Sequence, residues 1–255
     1  MKPLYGMDIY DDAAFYDREF ATRDHDVPFF LKQAQLAGGP VLEVACGTGR
    51  ITLPLARAGI DVAGLDVSRP MLERAQQKSQ AEGLSLAWLE QDCRHIEVEP
   101  VFALVFSATN AMQHLHDVES ALAFLTSARK ALRPGGILLL DVANPDVARL
   151  ARPAGTRYVH KTFVDDRGRE VRVELATHYE AASQILAFTL HYLVGDVQLR
   201  TKSVRMRCYF PEEMLALCRC AGLDVVRRLG NYDESPFVDG SPKQLLFCRA
   251  AEGLS

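Results

Sequence analysis

Five short apolar runs mark this 255-residue chain up to residue 142: Val41–Ala45, Ile60–Leu65, Leu84–Leu89, Val101–Ser107 and Ile137–Val142. Each is almost continuously apolar rather than alternating, which marks a strand buried on both faces. Helical stretches lie between them, so the strands run parallel beneath helices on both sides, joined by right-handed crossovers. With 48% hydrophobic residues the chain can fill such a core, and a disordered chain is excluded. The expected fold is α/β with a doubly wound parallel sheet.

The helices have start and stop signals. Asp11 and Asp12 can cap a helix through Phe20, and Gly38-Gly39-Pro40 ends a second one that opens near His25. Ser68 is a good N-cap for a helix running to Ala81, with Pro70 tolerated in its first turn. The pattern then changes to period two over residues 157–210, with turns at Asp165–Gly168, Glu180–Ser183 and Gly195-Asp196. Three or four antiparallel strands are predicted there, inserted after the fifth parallel strand. The stripe Leu186, Phe188, Leu190, Tyr192, Val194 must cover something apolar or form a dimer interface. The preferred place for this sheet is beside the carboxyl ends of strands four and five. Residues 1–37 then form an N-terminal helical lid, 38–150 the core, 151–210 the insertion, and 211–255 a last helix and hairpin.

Charge narrows the partners. Lys and Arg number 29 against 33 Asp and Glu, with no dense basic block, which argues against nucleic acid. No apolar stretch approaches the roughly 18 residues of a membrane span, and the N-terminus has no apolar signal core, so a cytoplasmic protein without membrane contact is expected, as monomer or homodimer. The six cysteines include no CxxC pair and read as reduced thiols. His114-Leu115-His116-Asp117 has no partner cluster to complete a metal site.

The first apolar run delivers the chain into Cys46-Gly47-Thr48-Gly49, and a helix begins at once. Glycines there allow close backbone approach to a ligand, and the helix start offers free N–H groups. Asp66 directly follows the second run, placed to accept both hydroxyls of a ribose. Gln91-Asp92 follows the third, within reach of an adenine amino group. A dinucleotide dehydrogenase is the competing reading of the loop, but Gly47-Thr48-Gly49-Arg50-Ile51-Thr52 lacks the third glycine of GxGxxG.

Together these motifs resemble the class I S-adenosylmethionine-dependent methyltransferases. Glu43 to Gly49 looks like their first motif, Asp66 their ribose acid, Asp92 their adenine-edge acid, and Leu132-Arg133-Pro134-Gly135-Gly136 the turn before their fifth strand. Two positions depart from the pattern: Ala45 stands where glycine is usual, and Ala103 where an acid often opens the fourth strand. The resemblance implies a seven-stranded Rossmann-like core and S-adenosyl-L-methionine as cofactor. It assigns cofactor contacts to Glu43, Ala45, Gly47 and Gly49 in the loop, and to Asp66, Val67 and Met71 after the second strand. Asp92, Cys93 and Ser107 follow at the next two strand ends.

The tyrosines Tyr5, Tyr10 and Tyr16 are similar to the N-terminal segment of small-molecule members such as sugar N-methyltransferases, where it lies over the cofactor; Tyr16 is the best contact candidate, and a packed aromatic lid is the alternative. His114, after the fourth strand, is the candidate for proton handling, with an unperturbed pKa of about 6.5, and Asn110 for positioning the substrate. Each has a plainer use, as a backbone-bonded histidine and a helix cap. Arg205, Arg207 and Tyr209 share a strand face that either grips an anion or is simply solvated. The implied activity is methyl transfer to a nitrogen or oxygen of a small-molecule acceptor; a non-catalytic cofactor-binding regulator and a protein or RNA methyltransferase are the alternatives.

Overall fold

The computed structural model describes residues 10–251. Tyr5 lies outside the described residues. Asp12 caps α1 (Ala13–Glu19) by accepting from the Phe15 N–H, and α2 (Val27–Ala37) follows. The core is β1 (Val41–Val44), α3 (Thr52–Arg57), β2 (Val62–Asp66), α4 (Arg69–Ala81), β3 (Ala87–Glu90), β4 (Phe102–Ser107), α5 (Val118–Ala131) and β5 (Leu132–Ala143). A 3-10 turn, Ala111–His114, joins β4 to α5. After the short α6 (Val147–Leu150) come β6 (Tyr158–Val164), β7 (Glu170–Glu180), β8 (Ile185–Val194) and β9 (Val197–Arg207). The chain closes with α7 (Pro211–Cys220), β10 (Leu223–Leu229) and β11 (Lys243–Ala250). No helix among the described residues is long and apolar enough to cross a membrane.

The large sheet has the order β10-β11-β5-β4-β1-β2-β3, with β11 antiparallel to both neighbours and the other pairings parallel. Side chains alternate between its two faces. Leu42, Val44, Val105 and Leu140 meet Phe124 and Leu125 of α5 and Met214 and Leu217 of α7. Val41, Leu104, Phe106 and Leu139 meet Phe29 and Phe30 of α2 and Leu55 of α3, with Phe30 stacked on Phe106 at 4.8 Å. The order in which successive strands are added reverses between β1 and β4, so a crevice opens beyond their carboxyl ends.

Four antiparallel strands make the second sheet, β6-β7-β8-β9. Leu190 and Tyr192 of the predicted stripe are buried with Val171, Val173 and Phe15 of α1. The Phe15 ring stands edge-on to Tyr192 at 5.5 Å and to Phe163 at 5.4 Å. The stripe thus meets the N-terminal helix of the same chain. Third and fifth strands differ from expectation at their starts. Leu84 still closes the end of α4 through Ser79 O, which delays β3, and β5 begins at Leu132, ahead of an irregular pairing with Phe102–Leu104.

Candidate active site

Beyond β1, β2 and β4 lies a cleft lined by residues from the ends of all three strands, the place where ligands bind in open α/β sheets. The glycine loop forms its floor. Gly47 has φ 55°, and its N–H donates to Asp66 Oδ2 at 2.8 Å. Ser68 N donates to Oδ1 at 2.8 Å. Asp66 is 8% exposed, and burial raises its pKa, opposed by these backbone bonds. A carboxylate offers about four acceptor positions, so these backbone bonds leave capacity for a ligand. Ala45, at the position where glycine is usual, also has φ 59°, the left-handed conformation that costs a side-chain-bearing residue.

Glu43 lies beneath the loop, 3% exposed, and accepts a hydrogen bond from the Thr52 hydroxyl. Burial pushes its pKa up to about 8 against the opposing Thr52 bond and the Arg50 charge. At neutral pH the carboxyl therefore holds a proton that a nearby cation would displace. Arg50 itself is fixed: Nη1 and Nη2 reach Asp26 at 2.5 and 2.7 Å, and Nη2 also reaches Thr109 Oγ1 at 2.8 Å.

The roof is aromatic. Tyr10 and Tyr16 line the cavity with ring centroids 5.7 Å apart. Asp17, on the same helix as Tyr16, accepts from Thr48 Oγ1 at 2.6 Å and from Arg74 Nε at 2.8 Å, tying the roof to the glycine loop and to α4. On the side wall, His114 Nε2 and the Tyr10 hydroxyl are 2.9 Å apart, and buried Nδ1 has no partner among the described residues. Burial first, then His116, pushes the His114 pKa down to about 4. The imidazole is neutral at pH 7, and its titration lies well below the unperturbed value expected from sequence.

Residues 41–136 match a family model described as a methyltransferase domain. Over 212 residues the chain is 30% identical to the cypemycin N-terminal methyltransferase of a Streptomyces species, covering 83% of each. The chain belongs to the class I S-adenosylmethionine-dependent methyltransferases. Solved structures agree on the fold. The CcbJ methyltransferase from Streptomyces caelestis has a TM-score of 0.79 at 24% identity, covering 97% of this chain and 98% of that one. KedS8, a sugar N-methyltransferase from a Streptoalloteichus species, has a TM-score of 0.72 at 20% identity, covering 98% of this chain and 97% of that one.

In this methyltransferase the cavity brings together Tyr16, Glu43, Ala45, Gly47, Asp66, Val67, Met71, Cys93 and His114 from the sequence-predicted set. Four others lie elsewhere. Asp92 is off the cavity, its carboxylate captured by Arg94 two residues on, through Nε at 2.9 Å and Nη2 at 2.6 Å. Burial opposes its charge, but the Arg94 pair outweighs it and holds the pKa below the usual carboxylate range. Its neighbours Gln91 and Cys93 line the cavity instead. Gly49 packs behind the loop, where a Cβ would meet Trp88 Cη2 at 2.9 Å. Ser107 stays in the sheet, between Val44 of β1 and Leu140 of β5. Asn110 turns away, its Oδ1 accepting from Lys243 Nζ at 2.8 Å.

The anion-gripping face is likewise occupied by the methyltransferase itself. Arg205 pairs with Glu180 at 2.8 Å, Arg207 with Glu213 at 2.6 Å, and the Tyr209 hydroxyl donates to Leu115 O at 2.5 Å. Sequence reasoning missed Arg50, Thr109 and Leu115 as lining residues. Arg50 directly follows the glycine motif, and Thr109 and Leu115 flank the named His114 turn, so position along the chain was the available signal.

Proposed function

We propose that this methyltransferase binds S-adenosyl-L-methionine in the cavity and methylates an amine nitrogen of a small-molecule acceptor. When bound, the cofactor supplies an electrophilic methyl group on a sulfonium. The donor set suits it. The open acceptor positions of Asp66 take ribose hydroxyls, buried Glu43 balances a cationic group, and Leu65, Val67 and Met71 make an apolar wall for a base. The acceptor enters on the Thr109–His114 side. There the protein supplies alignment and exclusion of water, which the two tyrosines provide as a roof.

The observation that carries the nitrogen assignment is His114. An alkylammonium must lose a proton before it attacks. A neutral buried imidazole with one unpartnered nitrogen can accept a hydrogen bond from the amine, in the tautomer whose Nε2–H donates to the Tyr10 oxygen, while the ammonium proton itself leaves to water, a stronger sink than an imidazole of pKa about 4. The sugar N-methyltransferase KedS8 is named for a nitrogen acceptor, and the cypemycin methyltransferase for an N-terminus, which supports the same choice.

The test is formation of S-adenosylhomocysteine by the purified enzyme with a panel of small amines and their matched alcohols. Turnover of amines is expected; turnover of alcohols alone would overturn the nitrogen assignment. His114→Ala should lower turnover about 10²-fold while S-adenosylhomocysteine affinity changes by less than about threefold. With a folded pKa of about 4, His114 keeps its base form as pH falls and loses it only near pH 4. The acid limb of the rate profile near neutral pH should therefore follow the pKa of the chosen amine, not a fixed value near 6.5.

A further inference from the structure

Asp141 stands near the carboxyl end of β5 and is wholly buried. Three donors from separate parts of the chain meet its carboxylate. The Thr109 N–H, in the loop after β4, donates at 2.7 Å. The Tyr232 hydroxyl, between β10 and β11, donates at 2.6 Å, and the Lys243 ammonium, opening β11, at 2.8 Å. The same ammonium donates to Asn110 Oδ1 at 2.8 Å. Thr109 is held a second time, through its hydroxyl oxygen, by Arg50 Nη2 at 2.8 Å.

What these bonds hold is an unfavourable backbone. Thr109 has φ 58° and Asn110 φ 63°, two successive side-chain-bearing residues in the left-handed region, and for a β-branched threonine that conformation is a genuine outlier. Such residues persist only where the surroundings over-determine them, and they gather at functional sites. The chain reverses here between a β4 end that faces the glycine loop and the turn carrying His114. Ala108, Thr109, Ala111 and His114 all line the cavity. Packing alone does not explain the carboxylate, because a buried ion pair adds little stability over apolar residues of the same volume.

We infer that Asp141 is a positioning residue: with Lys243 and Tyr232 it locks Thr109 and Asn110 in the left-handed conformation and so fixes the cavity wall from Ala108 to His114. It touches neither the cofactor nor the acceptor and acts through that wall. The consequence for acceptor turnover rests on the proposed amine methylation; the effect on the loop does not.

Two readouts on the full-length enzyme separate these. In the first, backbone amide exchange is followed without acceptor. Asp141→Asn keeps the shape of the side chain but leaves Lys243 without its carboxylate, and exchange across residues 107–115 should rise at least about tenfold, with residues 41–66 little changed. Unchanged exchange at 107–115 overturns the inference whatever the acceptor is. The second is the split between acceptor and cofactor. Acceptor kcat/KM should fall about tenfold or more, and S-adenosylhomocysteine affinity by less than about threefold. Adding Asn110→Gly, which accepts positive φ freely, should recover part of the acceptor loss, whereas a merely destabilised protein would lose further. Absence of recovery, or equal loss of both affinities, overturns the inference. Tyr232→Phe removes one donor only and, should Asp141→Asn fail to fold, must give the same pattern at about two- to fivefold. The expected exchange result with no amine turned over would sink the acceptor assignment alone.

Discussion

Carboxylates are handled differently in the parallel core and in the inserted sheet. In the core, Glu43, Asp66 and Asp141 are at most 8% exposed, and they are met by backbone N–H groups or hydroxyls from Gly47, Ser68, Thr52, Thr109 and Tyr232. On the insertion, Asp165, Glu174 and Glu180 pair with Arg169, Arg172 and Arg205, arginines 35 to 39% exposed. Solvent screens such half-exposed pairs, and they add little to stability. Buried Asp66, held by backbone N–H groups alone, keeps acceptor capacity for a ligand, while Asp141, which also takes the Lys243 ammonium, fixes a loop. The core is thus built to receive, and the insertion to pack. No residue of β6 to β9 lines the cavity. The insertion reaches it through intermediates: β8 holds α1 through Tyr192, and β9 offers Arg205 O to His116 and Arg207 O to Gln113, bracing the His114 turn.

The largest expected effect falls in the core. In the proposed binding mode Asp66→Ala removes two charge-assisted contacts to the ribose, together worth about 2–4 kcal/mol, so S-adenosylhomocysteine affinity measured by calorimetry should fall by about thirtyfold or more with circular dichroism unchanged. Arg205→Ala on the insertion should leave that affinity within about threefold. Equal losses in the two variants would break the contrast.

Most of this contrast is absent from the sequence, and the reason is physical. The positions of the core strands along the chain, the glycine loop and Asp66 are legible because they rest on local periodicity and on one short motif. The four-stranded insertion is legible for the same reason. Pairing across the chain is not. Asn110 looks free until Lys243, 133 residues away, reaches it. Arg207 looks available until Glu213 of α7 takes it. Asp141 sits in an apolar strand and gives no signal at all. The shift of His114 comes from burial, which no spacing reports. Asp92 is different: its partner Arg94 lies two residues on, and a short turn delivers three of its N–H groups to the carboxylate.

An intermediate effect tests how the insertion holds the roof. Tyr192 is fully buried and donates to both oxygens of Glu19 at 3.0 and 3.1 Å, while Lys161 pairs with the same carboxylate at 3.1 Å. Tyr192→Phe keeps the ring against Phe15 and deletes only the hydroxyl. Hydrogen bonds to charged groups contribute about 1.5–3 kcal/mol, and for a chain of this size that lowers Tm by roughly 3–12 °C in calorimetry. Acceptor KM should rise more than the cofactor Kd. A Tm within a degree of wild type would mean that α1 is held from the core side, through Asp17, and not by the insertion.

The smallest effect compares backbone strain in the two regions. Ala45 at the cavity and Gln184 in the β7–β8 turn are both left-handed, with φ 59° and 58°. Left-handed backbone costs a side-chain-bearing residue about 1–2 kcal/mol, and glycine removes that while adding about 0.4–1 kcal/mol of unfolded-state entropy. Ala45→Gly should therefore gain up to about 1 kcal/mol in urea unfolding, since its methyl is exposed and packs on nothing that must be kept. Gln184→Gly gains the same backbone relief but loses the bond from Arg207 Nη2 to its Oε1, at 3.0 Å, which is worth about 0.5–1.5 kcal/mol. Its net change should be near zero or unfavourable. Opposite signs would mean that the core carries strain at its ligand-facing loop while the insertion has already balanced its own. Equal stabilisation of both variants would show that the strain at Ala45 is an ordinary turn cost with no tie to the cavity.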